Sequence, residues 1–343
     1  MTVRINKPEL NLREKISELD KPTGIAGEAM LRAETPQEQF NLIGAGRRNL
    51  IINGAMQVSQ RGDYTTATAV ANGAYSIDRW AAQLTSVTAT IQHTARKQKL
   101  VATSTASGAI GSGQNIEITD TFFANKQITI SAKVTSNSTN ARIGFLYLGA
   151  SNAWVGSASH TGGGTEETLT LTVTLPSAVT RVFPTVKICD TDGVSSVNIS
   201  SGDYVEFGEV QLEVGKVATP FEHRSYGEEL ALCQRYYQAI PVKYESIMGQ
   251  AYSSTAARFP VQLPIEMRAN PSITIPPPGQ TGYAMKPLTA SLSWPGGSGI
   301  NAVTVTSNRS FYITCYGYSG LVAGDASQLY ADVISYIKCE AEL

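Results

Sequence analysis

The organisation of this chain is decided by residues 220–237, which read Pro220-Phe221-Glu222-His223-Arg224-Ser225-Tyr226-Gly227-Glu228-Glu229-Leu230-Ala231-Leu232-Cys233-Gln234-Arg235-Tyr236-Tyr237. Leu230, Cys233 and Tyr237 recur at i, i+3 and i+7, which places an apolar stripe along one face of a helix. Ser225 precedes Glu228 by three residues, the spacing at which two side chains cap the first free amides of a helix. The stretch therefore predicts a short capped helix that joins one β-rich segment to another.

Length and composition limit the possible classes of protein. The 343 residues allow about two domains plus an extension, at roughly 150 residues per domain. The formal net charge of -1 lacks the excess of positive charge that is typical of nucleic-acid-binding proteins, so we expect no nucleic-acid partner. No apolar run approaches the roughly 20 residues that cross a bilayer, and no signal-peptide pattern is present. We therefore expect a protein made in a cytoplasm, without membrane insertion.

The four cysteines are scattered along the chain at Cys189, Cys233, Cys315 and Cys339. Zinc sites built from cysteine need closely spaced ligands, and no such pair occurs. Cys315 and Cys339 lie in strand-like segments and could face each other. Small buried thiols are the commoner outcome, so we expect no disulfide, no metal and no cofactor.

The N-terminal segment is more densely charged than the rest of the chain, because eight Lys/Arg and seven Asp/Glu fall within residues 1–48. Leu12, Ile16 and Leu19 follow one another at four- and three-residue steps and give a helix one narrow apolar stripe. A helix of about 13 residues is marginal alone in water and needs a partner. We therefore predict a helical anchor over 1–47 and an assembly of three or more chains. The residues predicted to mediate this assembly are Leu12, Ile16 and Leu19 in the anchor and Leu230, Cys233 and Tyr237 in the joining helix.

Between residues 49 and 213 the chain is poor in charge and rich in Thr, Ser and Val. Period-2 alternation, clearest in Thr168-Leu169-Thr170-Leu171-Thr172-Val173-Thr174-Leu175, predicts strands that are half buried. Many short strands separated by Gly/Ser/Asn clusters favour an antiparallel β-sandwich or jelly roll. The predicted strands are 127–134, 142–148, 168–175, 181–188 and 204–212.

Beyond the joining helix the pattern is extended again, and 11 of the 15 tyrosines lie between Tyr226 and Tyr336. We predict extended segments at 258–267, 270–275, 311–316 and 330–343. In the last of these, Val333, Ser335, Ile337 and Cys339 face one way, and Ile334, Tyr336 and Lys338 the other. The predicted fold is mainly β, with an anchor at 1–47, a β-sandwich at 48–223, and a helix plus distal aromatic-rich β-module at 224–343.

Three segments resemble one family, the tail-fibre and receptor-binding proteins of bacteriophages. The first segment reads Arg48-Asn49-Leu50-Ile51-Ile52-Asn53-Gly54-Ala55-Met56-Gln57-Val58-Ser59-Gln60-Arg61-Gly62 and is followed by Ile77-Asp78-Arg79-Trp80. It is similar to the opening of a tail-fibre sandwich domain. Its strand also resembles the first strand of family 4/9 carbohydrate-binding modules. Residues 208–237 resemble the closing strand and exit helix of the same domain. Ala341-Glu342-Leu343 is similar to the last strand of distal modules.

The resemblance implies a setting and a set of partners. Tail fibres of this kind are homotrimers in the virion tail, bound to other tail or baseplate proteins through the N-terminus and to host surface polysaccharide or lipopolysaccharide. The family buries a tryptophan at the position of Trp80, and we expect Trp154 to be buried too. Family 4/9 modules often hold calcium beside their first strand, where Asn53 and Glu209 would match. A plain strand contact remains the favoured interpretation of those two residues.

Candidate catalytic carboxylates are few. Glycan hydrolysis needs two carboxylates that flank the bond. Asp190 and Asp192 fall in Cys189-Asp190-Thr191-Asp192-Gly193, which is typical of a turn. Glu206 and Glu209 lie on one predicted strand, and alternation points them to opposite faces. We therefore predict a protein that is not an enzyme.

Aromatic side chains in the distal module are the candidate glycan-binding residues. Trp294 lies within Ser293-Trp294-Pro295-Gly296-Gly297, where flanking Pro and Gly favour an exposed loop. Tyr283, Tyr316 and Tyr318 complete the candidate set. The alternative is that these rings fill the distal core or a threefold seam, where their polar tips find partners.

The sequence predicts an adhesin of a phage tail that binds host glycans without catalysis. Several weakly binding copies on one particle would gain affinity by multivalency. Two alternatives stay open at this point. One is a purely structural tail or baseplate component, and the other is a glycan depolymerase.

Overall fold

We describe the fold from a computed structural model, for residues 48–117, 122–149, 153–190, 197–241, 247–275, 283–287, 300–316, 321–331 and 336–342. These residues form one helix, α1 (Tyr226–Gln234), and strands on either side of it. The strands before α1 are β1 (Thr68–Val70), β2 (Ala81–Thr85), β3 (Ala89–Thr94), β4 (Lys97–Ala102), β5 (Ala106–Gly113), β6 (Gln127–Ser136), β7 (Ala141–Gly149), β8 (Ala153–Gly156), β9 (Glu166–Thr174), β10 (Val179–Ile188), β11 (Val197–Ile199) and β12 (Tyr204–Val214).

The strands after α1 form a second group. They are β13 (Tyr237–Pro241), β14 (Ile247–Ser253), β15 (Ala256–Gln262), β16 (Ser272–Thr274), β17 (Tyr283–Pro287), β18 (Ile300–Ser307), β19 (Ser310–Tyr316), β20 (Ala326–Ala331) and β21 (Tyr336–Glu340). The mainly β class predicted from the sequence is therefore confirmed. The predicted anchor at 1–47, with Leu12, Ile16 and Leu19, lies outside the described residues.

The first twelve strands form a two-layer sandwich of antiparallel sheets. One sheet has the order β1-β3-β4-β12-β6-β9, and the other has the order β11-β5-β10-β7-β8 with β2 beside β5. Successive strands alternate between the layers at β4 to β5 to β6 to β7, the connectivity of a jelly roll. One hydrophobic core draws on both sheets and includes Trp80, Phe145 and Phe207. The expectation that Trp80 is buried is confirmed, and Trp154 is buried as well.

Local alternation explains these strands. The five strands predicted between residues 127 and 212 are all present, with bounds that differ by a few residues from those expected. In β9 the exposed threonines face solvent while Leu169 is buried against the core. β12 departs from simple alternation, because its register against β6 shifts between Gly208 and Gln211. Glu209 has a φ of 48° in this bulge, a left-handed conformation that is uncommon for a side chain with Cβ.

The helix α1 begins where the sequence predicts. The Ser225 side chain accepts a hydrogen bond from the Glu228 amide, and the Glu228 carboxylate accepts one from the Ser225 amide. The predicted capping box is thus confirmed. The predicted helix is too long by one turn, because α1 ends at Gln234 and Tyr237 begins β13. Pairing of β13 with β21 accounts for the early end, since Tyr237 lies opposite Glu340 in that ladder.

The distal module consists of two sheets that share a second core. A three-stranded sheet has the order β13-β21-β16, and a six-stranded sheet has the order β17-β20-β14-β15-β19-β18. Phe259 and Phe311 of the larger sheet pack in one cluster with Ile337 and Cys339 of the smaller one. The alternation predicted for the last strand is confirmed at its described positions, since Ile337 and Cys339 are buried while Tyr336 and Lys338 are exposed.

The four cysteines are buried thiols without disulfide partners. Burial raises the pKa of Cys315 and of Cys339 to about 12. A thiol with so high a pKa stays protonated at neutral pH and is a poor nucleophile. These cysteines act as small hydrophobic side chains, as the sequence indicates.

Buried ion pairs join the sandwich to the distal module. Arg61 donates to Glu342 at 2.9 Å and also contacts Glu340, both from the end of the chain. Its guanidinium lies 3.8 Å from the ring centroid of Tyr237. Arg79 contacts Glu342 as well. Since Arg79 is nearly inaccessible to water, loss of Glu342 would leave a buried cation without a carboxylate partner.

The helix α1 is fixed to the sandwich by a second set of polar contacts. The carboxylate of Glu229 accepts a hydrogen bond of 2.5 Å from the Asn53 amide and lies 3.4 Å from Arg224. Arg224 also donates to the Ile51 carbonyl at 3.0 Å. Glu222 accepts from the amides of both Arg48 and Asn49 at 2.7 Å. The two units therefore meet through specific hydrogen bonds at the helix and at the segment that leads into it.

Candidate functional site

The candidate site is the outer face of the six-stranded sheet in the distal module. Along β15, Ala257, Phe259 and Val261 point into the core, so Arg258 points outward. The same alternation along β19 buries Phe311, Ile313 and Cys315 and turns the intervening side chains to the opposite face. We use the name Tyr–Arg face for Tyr252, Arg258, Tyr312 and Tyr316, which share this surface.

A bulge positions Tyr252. The register of β14 against β15 shifts between Ala251 and Ser253, so Tyr252 is the extra residue between two paired positions. Ala251 is buried in the core, whereas Tyr252 is 37% exposed. A β-bulge re-aims one side chain without ending the sheet. Here it places a tyrosine ring beside the outward residues of β15.

Arg258 lies between two aromatic rings. Its guanidinium carbon is 4.5 Å from the ring centroid of Tyr252 and 5.0 Å from that of Tyr312. Attraction between a cation and the negative face of each ring holds the exposed side chain in place. Gln250 and Thr314 lie directly opposite Arg258 on the neighbouring strands, so the surface around the cation is polar and uncharged.

Tyr252 and Tyr316 are joined through their hydroxyl groups. A side-chain hydrogen bond to Tyr316 raises the pKa of Tyr252 above its ordinary value. Tyr316 is 41% exposed at the end of β19. Thr314, two residues earlier on the same face, is only 2% exposed. Thr314 is thus buried within the Tyr–Arg face, whereas the side chains of Tyr252 and Tyr316 reach solvent.

Such a surface can bind a ligand with both apolar and polar parts. Tyrosine offers a flat apolar ring with a hydroxyl at its tip. Arg258 offers guanidinium N–H groups, which are donors only. No group in this set is arranged as a nucleophile with an adjacent base, which covalent catalysis would need. The arrangement is suited to recognition of a hydroxylated ligand.

The structure places one of the four predicted glycan-binding residues on this face, namely Tyr316. Tyr283 lies in β17, and its side chain is outside the described part of the structure. Trp294 and Tyr318 also lie outside the described residues. Sequence reasoning missed Tyr252, Arg258 and Tyr312. For Arg258, the signal that could have found it is alternation in Ala256-Ala257-Arg258-Phe259-Pro260-Val261, which turns this side chain away from the core.

Two of the three joining-helix residues predicted to form oligomer contacts are already buried in the single chain. Cys233 and Tyr237 are buried in the single chain, and Leu230 is half-buried. Arg61 covers the ring of Tyr237. Cys233 and Tyr237 are therefore enclosed within the single chain, and their part in an oligomer contact stays a prediction.

Asn53 and Glu209, the two residues of the calcium hypothesis, both have partners within the protein. The Asn53 amide group donates to the carbonyls of Val58 and Asp78, at 2.8 and 3.0 Å, and its oxygen accepts from the Val58 amide. Glu209 pairs with Lys133 at 2.8 Å. Asn53 therefore holds the first loop of the sandwich. Within the described ranges, no cluster of three or more His, Cys, Asp or Glu residues is placed to hold a metal ion.

The carboxylates considered for catalysis do not form a described pair. Asp192 lies outside the described residues. Glu206 and Glu209 are separated by the bulge of β12, so the alternation argument that put them on opposite faces does not hold there. Glu209 forms an ion pair with Lys133 on the sheet surface, so its carboxylate already has a structural partner.

No helix in the described part of the chain is long and apolar enough to cross a membrane.

Comparisons with known proteins give structural similarities only. No family model and no curated protein matches the sequence. A family 29 carbohydrate-binding module is similar at 11% identity and a TM-score of 0.25, over 43% of this chain and 88% of that chain. The CBM22-1–GH10 modules of xylanase 10B from Clostridium thermocellum, complexed with xylohexaose, are similar at 14% identity and a TM-score of 0.29, over 45% of this chain and 29% of that chain. At such low scores, what those proteins bind is not carried over to this chain.

Proposed function

We propose that this chain is a non-catalytic glycan-binding protein, and that it serves as an adhesin of a bacteriophage tail. The Tyr–Arg face is the observation that carries the proposal. Tyr252 and Tyr316 present exposed rings on a rigid sheet, and Arg258 adds hydrogen-bond donors beside them. Rings for the apolar surface of a sugar and donors for its hydroxyls are the two elements that glycan recognition needs.

The tail setting is supported by the resemblance of three sequence segments to phage tail-fibre proteins. In this proposal residues 1–47 attach the chain to other tail or baseplate proteins, and three chains form one fibre in the virion. The chain is made in the host cytoplasm and acts outside the cell after release. Each face binds host polysaccharide or lipopolysaccharide weakly, and several faces on one particle raise the avidity by roughly two to four orders of magnitude.

The joint between the two units supports this mechanism. Arg61 and Arg79 of the sandwich reach Glu342 of the distal module, and these ion pairs are buried. Multivalent binding depends on a geometry in which several sites engage at once. A joint held by buried charged contacts keeps the Tyr–Arg face in a fixed orientation relative to the sandwich.

The test is binding of the full-length protein to immobilised host envelope polysaccharide, measured for wild type, Tyr316→Ala and Tyr252→Ala. We expect each substitution to weaken binding at least tenfold. Tyr336→Ala is the matched control, because Tyr336 is 44% exposed on the other sheet of the same module. Equal binding by wild type and both variants would overturn the proposed site.

The same assay separates the two alternatives. A purely structural connector would show no binding of the intact protein to any envelope polysaccharide. A depolymerase would release soluble oligosaccharide from that polymer, which an adhesin leaves intact. Adsorption of virions that carry Tyr316→Ala extends the test to the proposed tail setting.

A further inference from the structure

We propose that the Tyr–Arg face selects acidic glycans, and that Arg258 binds the carboxylate group of an acidic sugar. This inference rests on the proposed function and names the class of ligand for the same face. It commits to a carboxylated polysaccharide as the occupant, rather than a neutral polysaccharide or a second copy of the chain.

The first argument is the position of the guanidinium between two rings. Tyr252 and Tyr312 lie 4.5 and 5.0 Å from the guanidinium carbon of Arg258, measured to their centroids. Contacts with ring faces leave the N–H donors at the edge of the guanidinium available. A planar fork of donors matches the two oxygens of a carboxylate, and two parallel charge-assisted hydrogen bonds form.

The second argument is that this cation has no carboxylate of its own among the described residues. Lys133 pairs with Glu209 and Lys97 with Glu166 on the sandwich, and Arg61 pairs with Glu342 at the joint. Arg258 forms no such ion pair with any residue that the structure describes. Its neighbours across the ladder, Gln250 and Thr314, are uncharged.

The third argument is that the rings of Tyr252 and Tyr312 hold the Arg258 side chain in place without cancelling its charge. An exposed arginine normally loses much rotamer freedom when it binds an anion. Here the two rings already restrict the side chain, so less entropy is lost when a carboxylate arrives. The bulge at Tyr252 and the hydrogen bond between Tyr252 and Tyr316 fix one of those rings in turn.

The experiment measures binding of the full-length protein to polygalacturonate, alginate, hyaluronate and polysialic acid, each paired with its carboxyl-reduced form. Dextran and mannan are the neutral polysaccharides. We expect an acidic polymer to bind, its reduced form to bind at least tenfold more weakly, and added NaCl to weaken binding of the acidic form only. Arg258→Gln should remove the difference within each pair, and Arg258→Lys should restore it in part, because lysine keeps the charge without the planar fork.

The outcomes are distinguishable. Equal binding of acidic and reduced forms, or binding confined to dextran or mannan, overturns the selection for acidic glycans and leaves the proposed glycan-binding function standing. Absence of binding to every polysaccharide overturns both. If Arg258→Gln or Tyr252→Ala lowers the molecular mass in solution, the face is a contact between copies, and the inference is overturned. Circular dichroism of each variant confirms that the β-structure is retained.

Discussion

The guanidinium of Arg79 lies over the ring of Tyr236, 3.5 Å from its centroid, and links the sandwich to the first residues of the distal module. Arg79 is almost fully buried and has a φ of 74°, a left-handed conformation that is costly for an arginine. The Tyr236 hydroxyl donates to Glu117 of the sandwich at 2.6 Å. A strained and buried cation is retained here because Glu342 compensates its charge across the joint.

Glu342→Gln is therefore expected to destabilise the protein strongly. The substitution leaves Arg79 without a carboxylate partner and weakens the contact to Arg61. Loss of one member of a buried ion pair costs about 3–5 kcal/mol. Urea unfolding of the full chain measures this change in the free energy of unfolding. Glu266→Gln, at an exposed carboxylate, is the control and should change it by less than about 0.5 kcal/mol; an equal effect of the two substitutions would contradict the role of Glu342.

Asp78 makes stability at this joint depend on pH. Burial raises the pKa of Asp78 to about 6, against hydrogen bonds from Gln60 and the charge of Arg61, which lower it. Because the folded pKa exceeds the ordinary value of 3.8, the folded state keeps a proton that the unfolded state releases between about pH 4 and pH 6. This group therefore makes the protein less stable as the pH rises through that window, and the full penalty is present above about pH 6.

Asp78→Asn should remove that dependence. We expect a stabilisation of up to about 3 kcal/mol at about pH 7.5, from a shift of roughly two units at about 1.36 kcal/mol per unit. The advantage should fade as the pH falls below about 4, where the carboxyl group is protonated in both folded and unfolded wild type. The oxygen of the new side-chain amide can still accept from Gln60, which donates to Asp78 at 2.7 Å in the wild type. Chemical unfolding at several pH values checks the prediction, and a stabilisation that does not vary with pH would contradict it.

The capping box gives a prediction about α1. Ser225 accepts a hydrogen bond from the Glu228 amide, so Ser225→Ala leaves a helix amide without that partner. N-cap substitutions of this kind cost about 1 kcal/mol. Ser225→Asp should retain the stability, because aspartate caps as well and its charge suits the N-terminus of a helix. Thermal unfolding of both variants distinguishes the loss of the cap from the mere change of residue, and equal melting temperatures would argue against the cap.

The sequence predicts some of these features and not others, for a physical reason. The start of α1 was predictable because Ser225 and Glu228 are three residues apart and act locally. The contact between Arg61 and Glu342 spans 281 residues of chain, so no local pattern indicates it. Tyr316 was selected from the sequence as a loop aromatic, and it lies at the end of β19. Alternation along β14 turns Tyr252 outward, but its place beside Arg258 depends on the register between β14 and β15, which no local pattern indicates.

The support beneath the Tyr–Arg face leads to the last prediction. Gly249 in β14 has no room for a side chain, because a Cβ there would lie 2.1 Å from the backbone oxygen of Arg258 and 2.6 Å from the ring of Phe259. Gly249→Ala should push β14 away from β15 and displace Tyr252 relative to Arg258. Overpacking of this kind costs about 1–3 kcal/mol.

Polysaccharide binding and stability should therefore fall together in Gly249→Ala, although the substitution adds no group to the exposed face. Gly227→Ala is the matched control, since a Cβ at Gly227 in α1 meets nothing within 4 Å. Alanine is the better helix former by up to about 1 kcal/mol, so this control should keep or raise the melting temperature and leave binding unchanged. Thermal unfolding and polysaccharide binding of the two variants, measured side by side, check both signs. Full binding by Gly249→Ala would mean that the spacing between Tyr252 and Arg258 does not matter to the site.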